Sequence, residues 1–137
     1  MAVTDRGVEA GASAGPYAGR NLARHVGDEA AAVEANRADV ATALGLPADA
    51  VVYMNQTHST TIRRAIPDDP AYPLDADALV TTEPGLALAV LVADCVPVLL
   101  VDPAAGVAAA VHAGRAGFIG GIVPATLTAM ADLGATA

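Results

Sequence analysis

The 137-residue sequence contains no lysine, no tryptophan, one phenylalanine and one cysteine. The sequence has seven basic residues, all arginine, and 15 acidic residues, so the formal net charge is -8. We expect no nucleic-acid partner, because neutralisation of phosphates dominates that binding. The four aromatic residues, Tyr17, Tyr53, Tyr72 and Phe118, are too few to predict an aromatic stacking platform. A single cysteine cannot form an internal disulfide, which is typical of a protein from a reducing cytoplasm.

Long hydrophobic runs are absent as well, although 54% of the residues are hydrophobic. The longest apolar run spans residues 86–93 and ends at Asp94, whereas a membrane-spanning helix needs about 20 residues. The N-terminus carries early charge and predicts no signal peptide. We therefore expect a cytoplasmic protein without a membrane partner, formed by a single domain over residues 1–137. Residues 1–14 show little periodicity and are expected to be loop or a frayed strand.

The clearest helical pattern runs from Glu29 to Leu44, between an N-cap at Asp28 and a left-handed C-terminal cap at Gly45. The uninterrupted apolar run at 86–93 predicts a strand that is buried on both faces. Further strands are predicted at 51–54, 60–64, 78–82, 97–101 and 107–111, and helices at 114–121 and 124–133. This order predicts an α+β fold in which mixed β-sheet layers are flanked by helices.

Three residues with metal-binding side chains, His58, Cys95 and His112, lie near the ends of predicted strands. Two imidazoles and a thiolate form a zinc ligand set, and three protein ligands leave one coordination position open, as in catalytic zinc sites. If the strands next to Cys95 and His112 are neighbours, they bring these two residues within a few ångströms of each other, but the spacing does not establish that His58 joins them. Singly, each has a simpler interpretation, since a free cysteine is usually an inert core thiol.

Several other residues are candidates for a functional role, and most of them also have a purely structural interpretation. Asp94 is a candidate to orient an imidazole through a hydrogen bond. Gly114 and Gly117 allow close approach of the backbone, and a helix that starts there favours an anion such as phosphate; the alternative is a tight strand-to-helix turn. His25 either lines a pocket or hydrogen-bonds its own loop. The D-x-D pair Asp75 and Asp77 is interpreted as solvated turn residues rather than as an oxygen-ligand metal site.

Several segments in unbroken order carry a resemblance to a known family. They are 21–22 and 25–28 (NL and HVGD), 55–59 (NQTHS), 76–81 (ADALVT), 93–97 (ADCVP) and 112–114 (HAG). On these motifs the chain is identified as a member of the YfiH family, also called the laccase-domain or polyphenol oxidase family. The match extends from about Gly15 to the C-terminus.

The resemblance implies a YfiH-like fold and a zinc ion, with copper as the less favoured metal. It implies phosphorolysis of adenosine, inosine or guanosine to the base and ribose 1-phosphate, adenosine deamination, and a link to editing of peptidoglycan precursors. The implied partners are a small nucleoside and phosphate, and oligomerisation is left open. The metal-binding and catalytic residues fall on His58, Cys95 and His112. The substrate- or phosphate-binding residues fall on Asn21, His25, Gly114 and Arg115.

Two departures from the family pattern bear on function. The family commonly has Trp-Arg where this chain has Arg115 and Ala116, so the contact made by the family's arginine is replaced or lost. A later G-P-x-I-G-x-C-C-Y segment is absent, and we expect the chain to correspond to the N-terminal portion of the family's usual length.

Three alternatives stay open. A metal-independent cysteine hydrolase would use Cys95 as nucleophile with His112 or His58 as base. Copper redox chemistry would use the same His₂Cys set, although one three-ligand site cannot build a multinuclear copper cluster. An incomplete domain would bind metal or a partner without turnover.

Overall fold

The computed structural model describes residues 1–7, 10–68 and 74–136. Val8 and Glu9, in the segment expected to be loop, and Tyr72 lie outside the described residues. The chain forms two compact units, Met1–Asp49 and the residues from Ala50 onward, here called the first and second unit. In the described part of the chain, no helix has the length and apolar character needed to cross a bilayer.

The first unit is built around one α-helix, α1 (Ala30–Ala43), which confirms the predicted helix to within one residue at each end. Gly45 has φ +69°, as predicted for a left-handed C-terminal cap. The predicted N-cap is wrong by one residue, because Glu29 occupies that position without a side-chain cap. The Asp28 carboxylate instead accepts hydrogen bonds from Ser13 Oγ (2.6 Å) and Asn21 Nδ2 (2.9 Å).

A buried amide on α1 organises the loop that precedes the helix. The Asn36 side chain is fully buried; its Oδ1 accepts from the Ala12 N–H (2.7 Å), and its Nδ2 donates to Ser13 Oγ and to the Asn21 carbonyl (both 2.9 Å). The loop itself contains a 3₁₀ turn at Gly15–Tyr17 and an isolated bridge between Ser13 and Gly19. Hydrogen bonds to one helical side chain thus replace regular pairing in this segment.

The described residues of the second unit form two sheets and two helices, preceded by a 3₁₀ turn at Ala48–Ala50. The strands are β1 (Val51–Asn55), β2 (Ile62–Arg64), β3 (Leu74–Asp75), β4 (Ala78–Thr81), β5 (Ala87–Ala89), β6 (Val96–Asp102) and β7 (Val107–Ala113); the helices are α2 (Arg115–Ile119) and α3 (Ile122–Asp132). One sheet has the order β2-β4-β7-β6, and the other has the order β3-β1-β5. In the four-stranded sheet β2 and β4 are parallel, whereas β4–β7 and β6–β7 are antiparallel. Both pairings of the three-stranded sheet are parallel.

The four-stranded sheet has apolar side chains on both faces. On one face Leu79 and Ala110 pack in a cluster with Val52 and Met54 of the other sheet. On the opposite face Val111 packs with Ile122 of α3, and Val80 with Met130. All four residues of β4 are buried, because the strand lies between two partners and between two layers. This layering confirms the predicted α+β class.

The prediction for residues 86–93 is wrong. The strand there, β5, covers only three residues, which are half-buried, and Val92 is 44% exposed. β5 is paired with β1 on one side and forms an edge of the described sheet. An unbroken apolar run shows that the segment is hydrophobic, but it does not show whether the segment becomes a central strand or an edge strand of its sheet. The other predicted strands and the two later helices are confirmed to within two residues at each end.

Candidate metal centre

The side chains of His58, Cys95 and His112 converge at one end of the four-stranded sheet. One ligand atom from each lies within 4.8 Å of the other two. Cys95 Sγ is 4.0 Å from His58 Nε2, and the two imidazole rings meet edge to face with centroids 4.7 Å apart. Tetrahedral zinc bonds of about 2.0 Å to nitrogen and 2.3 Å to sulfur place such atoms roughly 3.5 Å apart. The chemistry of the donor set fits a zinc ion, and the donors, 4.0 Å apart for Sγ and Nε2 and up to 4.8 Å apart in the cluster, would have to move closer together to bind it.

Strand pairing explains why Cys95 lies beside His112. Strands β6 and β7 form an antiparallel hairpin in which Pro97 is opposite His112 and Val96 is opposite Ala113. Cys95 immediately precedes β6, so the same hairpin holds its backbone next to the end of β7. Pairing of β4 with β7 likewise places Asp77 at His112, whose N–H donates to the Asp77 carbonyl (2.7 Å).

The buried carboxylate of Asp77 connects both imidazole-bearing segments. Its Oδ1 accepts from His112 Nδ1 (2.7 Å) and from the His58 backbone N–H (3.0 Å). Its Oδ2 accepts from the backbone N–H and the hydroxyl of both Ser59 (2.6 and 2.8 Å) and Thr57 (3.3 and 3.1 Å). His58 itself has a left-handed backbone conformation, with φ +60°. The N–H groups of residues 57–59 thus all donate to one carboxylate. This contact brings His58 to the other two residues.

The charge state of Asp77 determines which nitrogen of His112 faces the cluster. Burial raises the pKa of the Asp77 carboxyl, but hydrogen bonds from His112 and the His58–Ser59 segment outweigh it and lower the pKa to about 2. At neutral pH the carboxylate is therefore ionised and can only accept hydrogen bonds. His112 Nδ1 must carry a proton, so in the neutral tautomer that binds metals the lone pair is on Nε2.

The carboxylate that orients an imidazole is that of Asp77 and not, as predicted, that of Asp94. Asp94 is exposed, and in the described residues the carboxylate that contacts an imidazole is that of Asp77. The interpretation of the D-x-D pair as solvated turn residues is right for Asp75 only in its exposure, because Asp75 lies in strand β3 and accepts from Asn55 Nδ2 (2.6 Å). It is wrong for Asp77, which has no exposed surface. The sequence signal that could have pointed to this burial is the wholly apolar stretch 78–80 that directly follows Asp77.

Gly114 lies against all three candidate ligands. A Cβ at this position would be 3.0 Å from His58 Cδ2 and 3.3 Å from both Cys95 Sγ and His112 Cε1. A Cβ at Gly117 would be 2.7 Å from the Ser59 carbonyl oxygen. Close packing therefore requires both glycines, and the helix that begins at Arg115 has only five residues. This favours the reading as a tight strand-to-helix turn, and anion binding at Gly114 stays a prediction.

We expect the substitution Gly114→Ala to weaken zinc binding by about tenfold, because the added methyl group would lie 3.0 to 3.3 Å from atoms of all three ligand side chains and hinder their approach to a shared ion. Competition with a chromophoric chelator measures this. Gly120→Ala is the control: its Cβ would meet Thr60 Cγ2 at 2.7 Å in the same region, without contacting a ligand. Equal zinc affinities of Gly114→Ala and the unmodified protein would contradict the prediction.

A depression of about 410 Å³ opens beside Cys95. Its volume falls within the range of about 300 to 1,000 Å³ that is typical of small-molecule pockets. Arg115 brings a positive charge to it, Asp94 a negative one, and the side chain of Phe118 is 67% exposed. The lining residues are Asp94, Cys95, Val96, Val98, Ala113, Arg115 and Phe118. The position of Arg115 is compatible with phosphate binding, which stays a prediction.

Asn21 and His25 lie in the first unit, whereas the three candidate ligands lie in the second. The Asn21 amide is held within its own unit by Asp28 and Ala23. His25 is exposed in a turn. Their predicted contacts with substrate stay predictions.

Comparison with known proteins gives a consistent family assignment. The family model described as multi-copper polyphenol oxidoreductase laccase matches residues 1–137. A purine nucleoside phosphorylase of Corynebacterium glutamicum is 57% identical over 128 residues, which cover 91% of this chain and 52% of that protein. One from Streptomyces coelicolor is 55% identical with the same coverage. An adenosine deaminase from an unknown prokaryotic organism is 40% identical, over 97% of this chain and 53% of its own length.

Solved structures show the same fold. A Neisseria meningitidis protein of family DUF152 is 43% identical with a TM-score of 0.78, covering 88% of this chain and 48% of its own. The Bacillus licheniformis protein YfiH is 34% identical with a TM-score of 0.81, covering 86% of this chain and 47% of its own. The chain spans about half the length of the curated relatives it matches.

Proposed function

The chain belongs to the family described as multi-copper polyphenol oxidoreductase laccase, as its resemblance to YfiH indicated, and from this premise we propose that it forms the metal-binding part of a zinc-dependent enzyme acting on purine nucleosides. The proposed reaction is phosphorolysis of adenosine, inosine or guanosine. The bond between the ribose anomeric carbon and the base nitrogen breaks, an oxygen of hydrogen phosphate bonds to that carbon, and the base leaves with the proton that the hydrogen phosphate gives up. Adenosine deamination is the second proposed activity. Relatives named for both activities support the proposal.

The observation that carries the proposal is the convergence of His58, Cys95 and His112 to within 4.8 Å. Three separate segments of the chain contribute one donor each, and a buried carboxylate fixes the tautomer of one of them. Such a carboxylate–histidine pair is the usual support of a histidine that binds a metal. A structural histidine or an inert core thiol requires no such convergence.

Each residue of the centre has a defined task in this proposal. His58, Cys95 and His112 hold the zinc ion, which supplies Lewis-acid polarisation of an oxygen atom when bound. Asp77 keeps the proton of His112 on Nδ1, and Gly114 leaves room for the three side chains. Arg115, at the depression beside Cys95, attracts the phosphate anion.

Two observations favour other chemistry at the same site. The 4.0 Å separation of Cys95 Sγ and His58 Nε2 would also suit a thiol nucleophile with its base, a pair that often tightens when substrate binds. The family description and the His₂Cys set favour copper. Links to peptidoglycan precursor editing, a cytoplasmic location and an oligomeric state stay predictions.

We expect the purified protein to contain about one zinc ion per chain and to convert inosine and phosphate to hypoxanthine and ribose 1-phosphate. Chelation should remove metal and turnover together, and added zinc should restore both. Elemental analysis and product chromatography measure the two quantities. Turnover that persists in metal-free protein would favour the thiol mechanism, and restoration by copper alone would favour the copper site. Zinc binding without turnover would favour a domain that only binds metal.

A further inference from the structure

The side-chain amide of Gln56 is paired with the backbone of Leu91 through two hydrogen bonds. Gln56 Nε2 donates to the Leu91 carbonyl (2.7 Å), and the Leu91 N–H donates to Gln56 Oε1 (2.9 Å). The amide thus offers Leu91 one donor and one acceptor, the same pair of groups that a residue of a neighbouring strand would offer. The side chain is half-buried and bridges residues 35 positions apart in sequence.

This pairing connects the two segments that carry His58 and Cys95. Residues 56–61 follow β1, and residues 90–95 follow β5. The parallel ladder between β1 and β5 ends at the pair Tyr53 and Ala89, so strand pairing does not reach either candidate ligand. Across the described residues, the hydrogen bonds that join these two segments are the two between Gln56 and Leu91, besides the 4.0 Å contact of Sγ and Nε2 itself.

The other two sides of the ligand triangle are held by different contacts. Asp77 binds both His112 and the backbone of His58, which fixes the distance between the two imidazoles. The hairpin of β6 and β7 fixes Cys95 relative to His112. Neither of these contacts directly sets the separation of His58 and Cys95. Gln56 supplies that third connection. It lies two residues before His58, and its partner Leu91 lies four residues before Cys95.

We propose that Gln56 is a positioning residue that sets the distance between His58 Nε2 and Cys95 Sγ for metal binding. The inference rests on the proposed zinc site and concerns how that site is held together. Both segments lie outside regular strands and both ligands are at least partly exposed. Loss of the amide removes the two hydrogen bonds that join the ligand-bearing segments, and metal affinity depends on the spacing of the donors that these segments carry.

The test measures metal binding in Gln56→Ala, by chelator competition for zinc and by the absorption spectrum of the cobalt-substituted protein. We expect the metal stoichiometry to be retained, the zinc affinity to fall by about tenfold, and the thiolate-to-cobalt charge-transfer band to weaken. The matched control is Asn55→Ala, which removes the neighbouring amide and its bond to Asp75 (2.6 Å). That variant should keep the affinity and the spectrum of the unmodified protein.

Gln56→Met distinguishes hydrogen bonding from packing, because methionine fills a similar volume without the two polar groups. We expect it to behave like Gln56→Ala, and it carries the test if the alanine variant folds poorly. Affinities and cobalt spectra equal to those of the unmodified protein in both variants would overturn the inference while leaving the proposed function intact. Failure of the unmodified protein itself to bind zinc would instead overturn the proposed function.

Discussion

Replacing Cys95 with alanine is expected to abolish stoichiometric zinc binding and turnover together. The substitution removes the single sulfur donor from a three-ligand set. Structural zinc sites bind with about 10 to 16 kcal/mol over four ligands, or roughly 3 kcal/mol per ligand, which corresponds to a loss in affinity of about a hundredfold or more. Elemental analysis after dialysis and an inosine phosphorolysis assay measure the two effects. Unchanged turnover in this variant would exclude both the zinc and the thiol mechanisms.

Loss of turnover in Cys95→Ala does not tell whether Cys95 is a metal ligand or a nucleophile. The substitution Cys95→Asp distinguishes the two roles. A carboxylate keeps the negative charge and can bind zinc, but it lacks the thiolate that a cysteine hydrolase needs. Under the zinc proposal we expect this variant to retain metal and a measurable fraction of the turnover. Retained zinc with complete loss of turnover would point to Cys95 as the nucleophile. The pair of variants therefore assigns Cys95 to one mechanism.

The proximity of Cys95 and His112 could be predicted from local sequence because a single hairpin contains both. The turn at 103–106 sets the register in which Pro97 faces His112, so residues equidistant from the turn become neighbours. Side-chain chemistry then selects the cysteine and the histidine as ligands. Here short-range information is sufficient, since hairpin register follows from turn position.

His58 could not be placed from such local patterns. It reaches the cluster because Asp77, 19 residues later, accepts hydrogen bonds from the backbone of its loop. The sequence shows an acidic residue near a turn, which is the common environment of a solvated aspartate. Burial of Asp77 depends on the pairing of β4 with both β2 and β7, a non-local arrangement. The same limit applies to residues 86–93, whose apolar character was evident but whose edge position was not.

The D-x-D pair offers a matched test of the Asp77 contacts, and Asp77→Asn is expected to weaken zinc binding by about 10 to 100-fold. Oδ1 of Asp77 accepts two hydrogen bonds, from His112 Nδ1 and the His58 N–H. Its Oδ2 accepts four, from the N–H and hydroxyl groups of Thr57 and Ser59. An asparagine amide turns an NH₂ group toward one of these sets, whichever way it is flipped. The NH₂ group then faces N–H donors that it cannot accept from, and the hydrogen bonds to His112 or to the His58 loop are lost.

Asp75→Asn makes the same chemical change two residues away, at an exposed carboxylate whose described partner is Asn55. We expect its zinc affinity to be unchanged and its stability to stay within about 0.5 kcal/mol of the unmodified protein. Asp77→Asn should also lose about 2 kcal/mol or more of stability without metal, since it breaks charge-assisted hydrogen bonds in a buried setting. Chelator competition and thermal unfolding of the zinc-free variants give both numbers. If Asp77→Asn lost stability but bound zinc as tightly as Asp75→Asn, Asp77 would support the fold alone, and the orientation of His112 would have to come from strand β7 itself.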